Sequence, residues 1–320
     1  MNGLNLLQQY IKEQELTGVI LMSPINLHYF AGFTGTTGFA IITQDKAFMI
    51  TDFRYTEQAT KQCEGYTVIQ YESSVMDTLV DIFNEHHIHE GLFGIEGKQM
   101  PVDTYETLCD TLDERFKFTS INFAKLRAVK REDELDLLRK AAKIGDDAFA
   151  ALLPQLKVGM TENEARIILE SEMLKRGSEE PSFATIVASG NRSSMPHGVA
   201  SDKVIEAGDF VTFDFGAVYK GYHSDMTRTI VMGPASELQK KLYGIVLEAQ
   251  KRGVAAVRAG ITGKELDAVC RDYIKEHGYS RHLYEFKDEY ANMPVDIQKD
   301  EEKGLYYVQK EEKRLYFRKS

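Results

Sequence analysis

At 320 residues the chain has room for two domains, and its 43% hydrophobic composition supplies apolar side chains for two cores. A formal net charge of -10 argues against nucleic acid as the main partner, because phosphate binding draws on a basic stripe. Cys63, Cys109 and Cys270 are odd in number and far apart, which fits a reducing cytoplasm. No basic leader precedes an apolar run at the N-terminus, and no segment approaches the ~18 consecutive apolar residues of a membrane span.

In chain order, the pattern predicts a helix over residues 4–15, a strand over 18–22, and a hairpin from 39–43 and 47–51. A helix follows over 55–61, a strand over 67–71, a helix over 75–85 and an apolar strand over 92–95. This reads as a small α/β domain spanning residues 1–124. A short basic connector, residues 125–130, then leads into a long helix over 132–153 with apolar Leu135, Leu138, Ala142 and Ala148.

A weak repeat runs through the second part. Leu156-Lys-Val-Gly-Met-Thr-Glu-Asn-Glu164 matches Val257-Arg-Ala-Gly-Ile-Thr-Gly-Lys-Glu265, so Gly159, Thr161 and Glu164 map to Gly260, Thr262 and Glu265. Each copy closes one helix on Gly and opens the next with a Thr-x-x-Glu capping box, and the helices stop in step at Gly177 and Gly278. The matched end points predict a pseudo-duplicated domain. After Gly177 the sequence turns strand-rich over 182–188, 210–215 and 226–232. After Gly278 it does not: residues 281–320 carry charge of both signs and read as a solvated helix or loose tail.

Asp214 and Asp225 lie in two strands folded about Tyr219-Lys220-Gly221. With the turn centred on Tyr219 and Lys220, the carboxylates face each other directly, and like charges so placed repel. Flanking Phe213 and Phe215 suggest burial, and a buried carboxylate pair shares a proton, shifts its pKa or holds a cation. Hard oxygen donors on a rigid hairpin suit a divalent metal. The alternative is that Asp214 caps a turn and Asp225 is a solvated strand residue.

His197, in the loop Ser194-Met-Pro-His-Gly198, could donate to a substrate or to a developing oxyanion, or be a turn histidine bonded to nearby backbone. His223 should share the face of Asp225. His86, His87 and His89 read as a solvated turn, Asp52 and Arg54 as a structural ion pair, and Gly32–Gly38 as a hairpin approach without the lysine of a phosphate loop.

Taken together, Ser182-Phe-Ala-Thr-Ile-Val-Ala-Ser-Gly190, Met195-Pro-His-Gly198, Thr212-Phe-Asp-Phe-Gly-Ala217 and His223-Ser-Asp-Met-Thr-Arg-Thr229 resemble the Xaa-Pro aminopeptidase and prolidase family of pita-bread metallopeptidases. Ser23-Pro-Ile-Asn-Leu-His-Tyr-Phe-Ala-Gly-Phe33 and Thr51-Asp-Phe-Arg-Tyr55 are similar to that family's creatinase-like N-terminal domain. The resemblance implies an α/β (α+β) chain: the N-terminal domain over 1–124, a pita-bread peptidase domain over 125–280 that is incomplete, and a divergent charged tail over 281–320. It implies two divalent ions, Mn or Co, with Asp214 and Asp225 as metal ligands and Asp225 bridging, and His197 as the catalytic histidine beside the substrate. Proline-containing peptides are the implied substrates, cleaved before proline, and the family's dimers imply a homodimer through the N-terminal domain.

The chain departs from the family after about Tyr279. The family's remaining ligands, one histidine and two glutamates, have no matching motif; His282, Glu285 and Glu289 lack the right surroundings and are not carried over. With those donors missing, metal binding should be weak and catalysis impaired. A frameshift or truncation fits the abrupt change near Arg281. Two other functions stay open: a non-catalytic module that binds a peptide or partner on the same scaffold, and a metal-free creatinase-like hydrolase, against which the retained aspartates argue.

Overall fold

The computed structural model describes residues 3–279 and the strand backbones of residues 298–300, 305–310 and 313–318. Two compact units divide the chain, Met1–Val129 and Lys130–Ser320.

In the first unit, helix α1 (Gly3–Glu13) precedes strand β1 (Gly18–Leu21), and a short helix α2 (Pro24–Asn26) runs into a π turn over Leu27–Ala31. Strands β2 (Phe39–Thr43) and β3 (Ala47–Thr51), helix α3 (Thr56–Gln62), strand β4 (Thr67–Gln70), helix α4 (Val75–Glu85), strand β5 (Gly91–Ile95), helix α5 (Val102–Thr111) and strand β6 (Phe116–Ser120) follow. The sheet order is β4-β3-β2-β1-β5-β6. Strand β1 pairs antiparallel with β2 and parallel with β5. Its side chains alternate between two cores, so all four residues are buried. Val19 and Leu21 join Leu4, Leu7 and Ile11, the helically spaced stripe of α1, whereas Ile20 joins Leu79, Ile82 and Phe83 of α4.

The second unit opens with α6 (Glu132–Leu152), a 3-10 turn over Leu153–Gln155, and α7 (Glu162–Lys175). Strands β7 (Ile186–Ser189), β8 (Phe210–Phe215), β9 (Val218–Tyr219), β10 (Tyr222–His223) and β11 (Met226–Val231) come next. Helices α8 (Glu237–Ala256) and α9 (Gly263–Glu276) follow, then β12 (Gln298–Asp300), β13 (Leu305–Lys310) and β14 (Lys313–Arg318). One antiparallel sheet has the order β11-β8-β7. Its helix-facing side packs Val187, Val211, Phe213 and Phe215 on Ile144 and Ala148 of α6 and Ala165, Leu169 and Met173 of α7. Phe149 stacks on Phe215 with ring centroids 5.7 Å apart and meets Phe213 edge-on at 5.5 Å. Full burial of a side chain of this size contributes about 1.5–3 kcal/mol.

The α6 stripe is rotated from the expected one. Ala141, Ile144, Gly145, Ala148 and Leu152 are buried, while Leu135, Leu138 and Ala142 are only half-buried. Small residues let the helix approach the sheet closely, and a count of large apolar residues misses that face.

The repeat keeps its punctuation. Thr161 accepts from Glu164 N (3.1 Å) while Glu164 accepts from Thr161 N (2.7 Å), and Thr262 with Glu265 does the same at 3.2 and 2.8 Å. Gly177 and Gly278 end their helices with φ of 95° and 85°.

The tail corrects an expectation. Among its described residues the backbone forms a three-stranded antiparallel sheet, with Tyr306 opposite Phe317 and Val308 opposite Leu315. Aromatic and branched residues in Leu305-Tyr-Tyr-Val308 and Leu315-Tyr-Phe317 carry strand propensity that the surrounding charge hid. His282, Glu285 and Glu289 lie outside the described residues.

Candidate active site

The β8–β11 hairpin carries the two aspartates. Its far end turns on two residues, Lys220 (φ 49°) and Gly221 (φ 72°), between Tyr219 and Tyr222. Two successive positive φ angles are the signature of the type I′ turn, whose twist matches that of the strands. Glu179 holds this turn, accepting from Lys220 N at 2.8 Å and Gly221 N at 3.1 Å. Between turn and sheet the hairpin pinches at Gly216, where a Cβ would lie 1.8 Å from the Ser224 carbonyl oxygen. Ser224 fills the pinch: its hydroxyl accepts from Ala217 N (2.9 Å) and lies 3.1 Å from the Ala141 carbonyl, to which it can donate.

This turn corrects the expected register. Asp214 lies opposite Thr227, and Phe215 opposite Met226, which brings Gly216 opposite Asp225. The aspartates are therefore diagonal neighbours, a relation with a typical backbone spacing of roughly 7–8 Å, rather than a directly opposed pair. Moving the turn centre by one residue moves each partner by two, so both carboxylates stay on one face.

The expected burial also fails. Phe213 and Phe215 are fully buried, but Asp214 is half-buried and Asp225 exposed. Alternation is the reason: the phenylalanines face the helices, and the residue between them faces the other way. That open face also carries Thr227, whose hydroxyl donates to Asp214 (3.3 Å), and the pair Thr212 and Thr229 at 3.2 Å. A solvated diagonal pair can exist without a cation, so burial alone does not demand a metal.

The loop with His197 borders the same sheet. Val199 bridges Ile186 of β7, which pairs with Asp214 of β8, which pairs with Thr227 of β11, so these four residues form one row across the sheet. His197 is exposed, two residues before the end of that row. His223, on β10 beyond the pinch, is also exposed. Among the described residues, no group of three or more His, Cys, Asp or Glu side chains is placed to hold a metal ion.

A residue that sequence reasoning passed over organises this loop. Glu162, the first residue of α7, is completely buried. Its Oε1 accepts from Ser189 N (2.7 Å) and Ser189 Oγ (2.9 Å), and its Oε2 accepts from Ser201 N (3.1 Å) and Ser201 Oγ (2.6 Å). Arg192 Nε donates to both oxygens, at 3.3 and 3.1 Å, and Arg192 Nη2 reaches the Val199 carbonyl at 2.7 Å. Burial pushes the Glu162 carboxyl up, but the bonds from Ser201 and Ser189 and the Arg192 charge outweigh it, and the net displacement is below the ordinary glutamate value. Its only sequence signal is an acid in the first turn beside the more conspicuous Glu164 of the capping box.

The other polar motifs are structural. His86 stacks on Phe48 at 4.7 Å, and Arg54 pairs with Asp52 at 2.7 Å. Glu96, also buried, accepts from Ser23 N (2.8 Å) and from the Ser23 and Asn26 side chains, holding the turn after β1.

Residues 136–304 match the model of metallopeptidase family M24, and residues 4–129 match the creatinase/prolidase N-terminal domain. The chain belongs to metallopeptidase family M24. Its M24 part has the pita-bread fold, and the whole is a mixed α/β protein. An uncharacterized peptidase of Bacillus subtilis is 44% identical over 82% of this chain and 74% of its own length. A Pyrococcus furiosus protein named Xaa-Pro dipeptidase is 37% identical, over 85% of this chain and 77% of its own. The solved Xaa-Pro dipeptidase from Bacillus anthracis superposes with a TM-score of 0.83 at 36% identity, covering 99% of this chain and 97% of the other. Asp214 and Asp225 both lie inside the M24 match.

Proposed function

We propose that this M24 chain is a peptidase of the Xaa-Pro dipeptidase or aminopeptidase type, acting on the peptide bond that precedes proline. The observation that carries the reading is the placing of Asp214 and Asp225 on one open face of a single hairpin inside the M24 match. Relatives named Xaa-Pro dipeptidase at 37% and 35% identity support the substrate class.

Asp214 and Asp225 are the proposed metal ligands, and two hard carboxylates suit Mn or Co ions. The fit is partial, because the described residues add no third donor to them. Bound divalent metal would supply Lewis-acid stabilisation of charge developing on the peptide carbonyl. The chain's own contribution is to hold both carboxylates on a stiff, pinched hairpin, and to present the His197 imidazole as a hydrogen-bond donor at the edge of the same sheet. With these two carboxylates alone, metal affinity and turnover would be low.

A cytoplasmic setting is supported by the free thiols of Cys63, Cys109 and Cys270; no described helix is long and apolar enough to cross a membrane. Pairing through the N-terminal unit is supported by large exposed side chains there, Ile25 and Phe53.

The test is hydrolysis of Gly-Pro and of an Xaa-Pro-Xaa tripeptide, against matched peptides with leucine for proline, with Mn(II) added. Slow cleavage confined to the proline peptides, and absent in Asp225→Ala, is the expected result. Equal cleavage of the leucine peptides would remove the Xaa-Pro assignment.

A further inference from the structure

We infer that Glu162 is the positioning residue for His197: its carboxylate clamps both ends of the loop that carries the imidazole. The inference rests on the proposed substrate-facing role of His197.

The loop leaves β7 at Ser189 and returns to α7 at Ser201, and each end is bound to a different oxygen of the one carboxylate. Arg192 adds a third tie from within the loop and carries it to Val199, two residues beyond His197. The anchor does not move with the loop. Glu162 sits in the first turn of α7, where the helix dipole favours a negative charge, and its own N–H donates to the Lys203 carbonyl at 3.0 Å. Asn163 N also donates to the Ser201 carbonyl at 3.0 Å, fixing the return strand to the same helix end.

A fully buried carboxylate is costly unless its lone pairs are filled, and the Ser189, Arg192 and Ser201 donors fill them only in this loop conformation. The clamp thereby selects one path for residues 190–200. That path ends in the Val199–Ile186 bridge, which ties the His197 segment into the row containing Asp214. Exposed His197 has little packing of its own to fix it, so its placement depends on this remote carboxylate.

The test uses the full chain. Hydrogen–deuterium exchange is read across residues 190–200, and the His197 ring signals are assigned by NMR from their loss in His197→Asn. In Glu162→Gln, exchange over 190–200 is expected to rise by roughly tenfold or more, while residues 4–129 keep their rates. The His197 ring signals should move towards those of an unstructured peptide, a change that a merely stabilising residue would not cause. Wild-type exchange and ring signals in this variant would overturn the clamp. If Glu162→Gln unfolds the second unit, Ser201→Ala, which removes one hydroxyl donor, decides: faster exchange over 195–200 with a moved ring signal sustains the proposal, and wild-type behaviour overturns it. Absence of Gly-Pro hydrolysis in the unsubstituted chain would count against the peptidase reading alone, because the exchange and ring signals report on the clamp without turnover.

Discussion

The α6–α7 and α8–α9 helix pairs carry the same local instructions, with Thr161 and Thr262 as reciprocal caps and Gly177 and Gly278 as left-handed stops. At the constant offset of the repeat, Ala165, Leu169 and Met173 of α7 correspond to Leu266, Cys270 and Ile274 of α9. The first three are completely buried; the second three are only half-buried, and no residue of α9 is fully buried. The difference lies in what each helix packs on. Strands β7, β8 and β11 close the core over α7, while α9 packs chiefly along α8. Caps and stops set where a helix begins and ends, and the sheet decides whether its apolar face becomes core.

The largest expected effect that breaks the symmetry is a core truncation. Leu169→Ala should destabilise the second unit by about 2–5 kcal/mol, as large-to-small changes at closed core sites do. Ile274→Ala, at the α9 position that corresponds to Met173, should cost less than about 1 kcal/mol because its site is partly solvated already. Urea denaturation followed by far-ultraviolet circular dichroism measures both, and equal losses would show that α9 is as deeply packed as α7.

Next in size are the caps, where the two copies should behave alike. Thr161→Ala and Thr262→Ala are each expected to cost about 1 kcal/mol, since both remove the same hydroxyl acceptor. Amide exchange in the first turns of α7 and α9 reads the effect helix by helix.

The smallest effect is in acid. Glu162 has its carboxyl lowered in the folded state, so its stabilising contribution is fully present above the ordinary glutamate value of 4.5 and is lost as pH falls through the lowered folded value. Exchange over residues 190–200 should therefore accelerate at the acid end before α6 does. Glu265 is lowered with the same sign by the Thr262 backbone and hydroxyl, but it is exposed, and its acid response should be weaker. A common acid midpoint for both segments would remove this distinction.

Much of the fold was legible because it rests on period and punctuation. The strand-rich run over 210–215 marked β8, the helical pattern over 4–15 marked α1, and the Thr-x-x-Glu boxes marked both repeat helices. Three features were hidden for separate physical reasons. The turn at Lys220–Gly221 places a lysine at positive φ, where asparagine or aspartate would have announced a type I′ turn. The apolar neighbours Phe213 and Phe215 suggest burial of Asp214, but successive strand residues face opposite sides. Glu162 gathers Ser189, Arg192 and Ser201 from a loop well downstream, and nothing local to the helix start reveals such a convergence. The pair Asp214 and Asp225 was legible because an even shift in register leaves the shared face intact.

The central proposal is that these two aspartates are metal ligands, with no third donor beside them among the described residues. Calorimetric titration of the full chain with Mn(II), alongside Asp214→Ala and Asp225→Ala, tests it most directly. The expected result is weak binding, unsaturated at micromolar metal, that disappears in both variants. Tight binding at two sites, or binding that survives the loss of either aspartate, would contradict it.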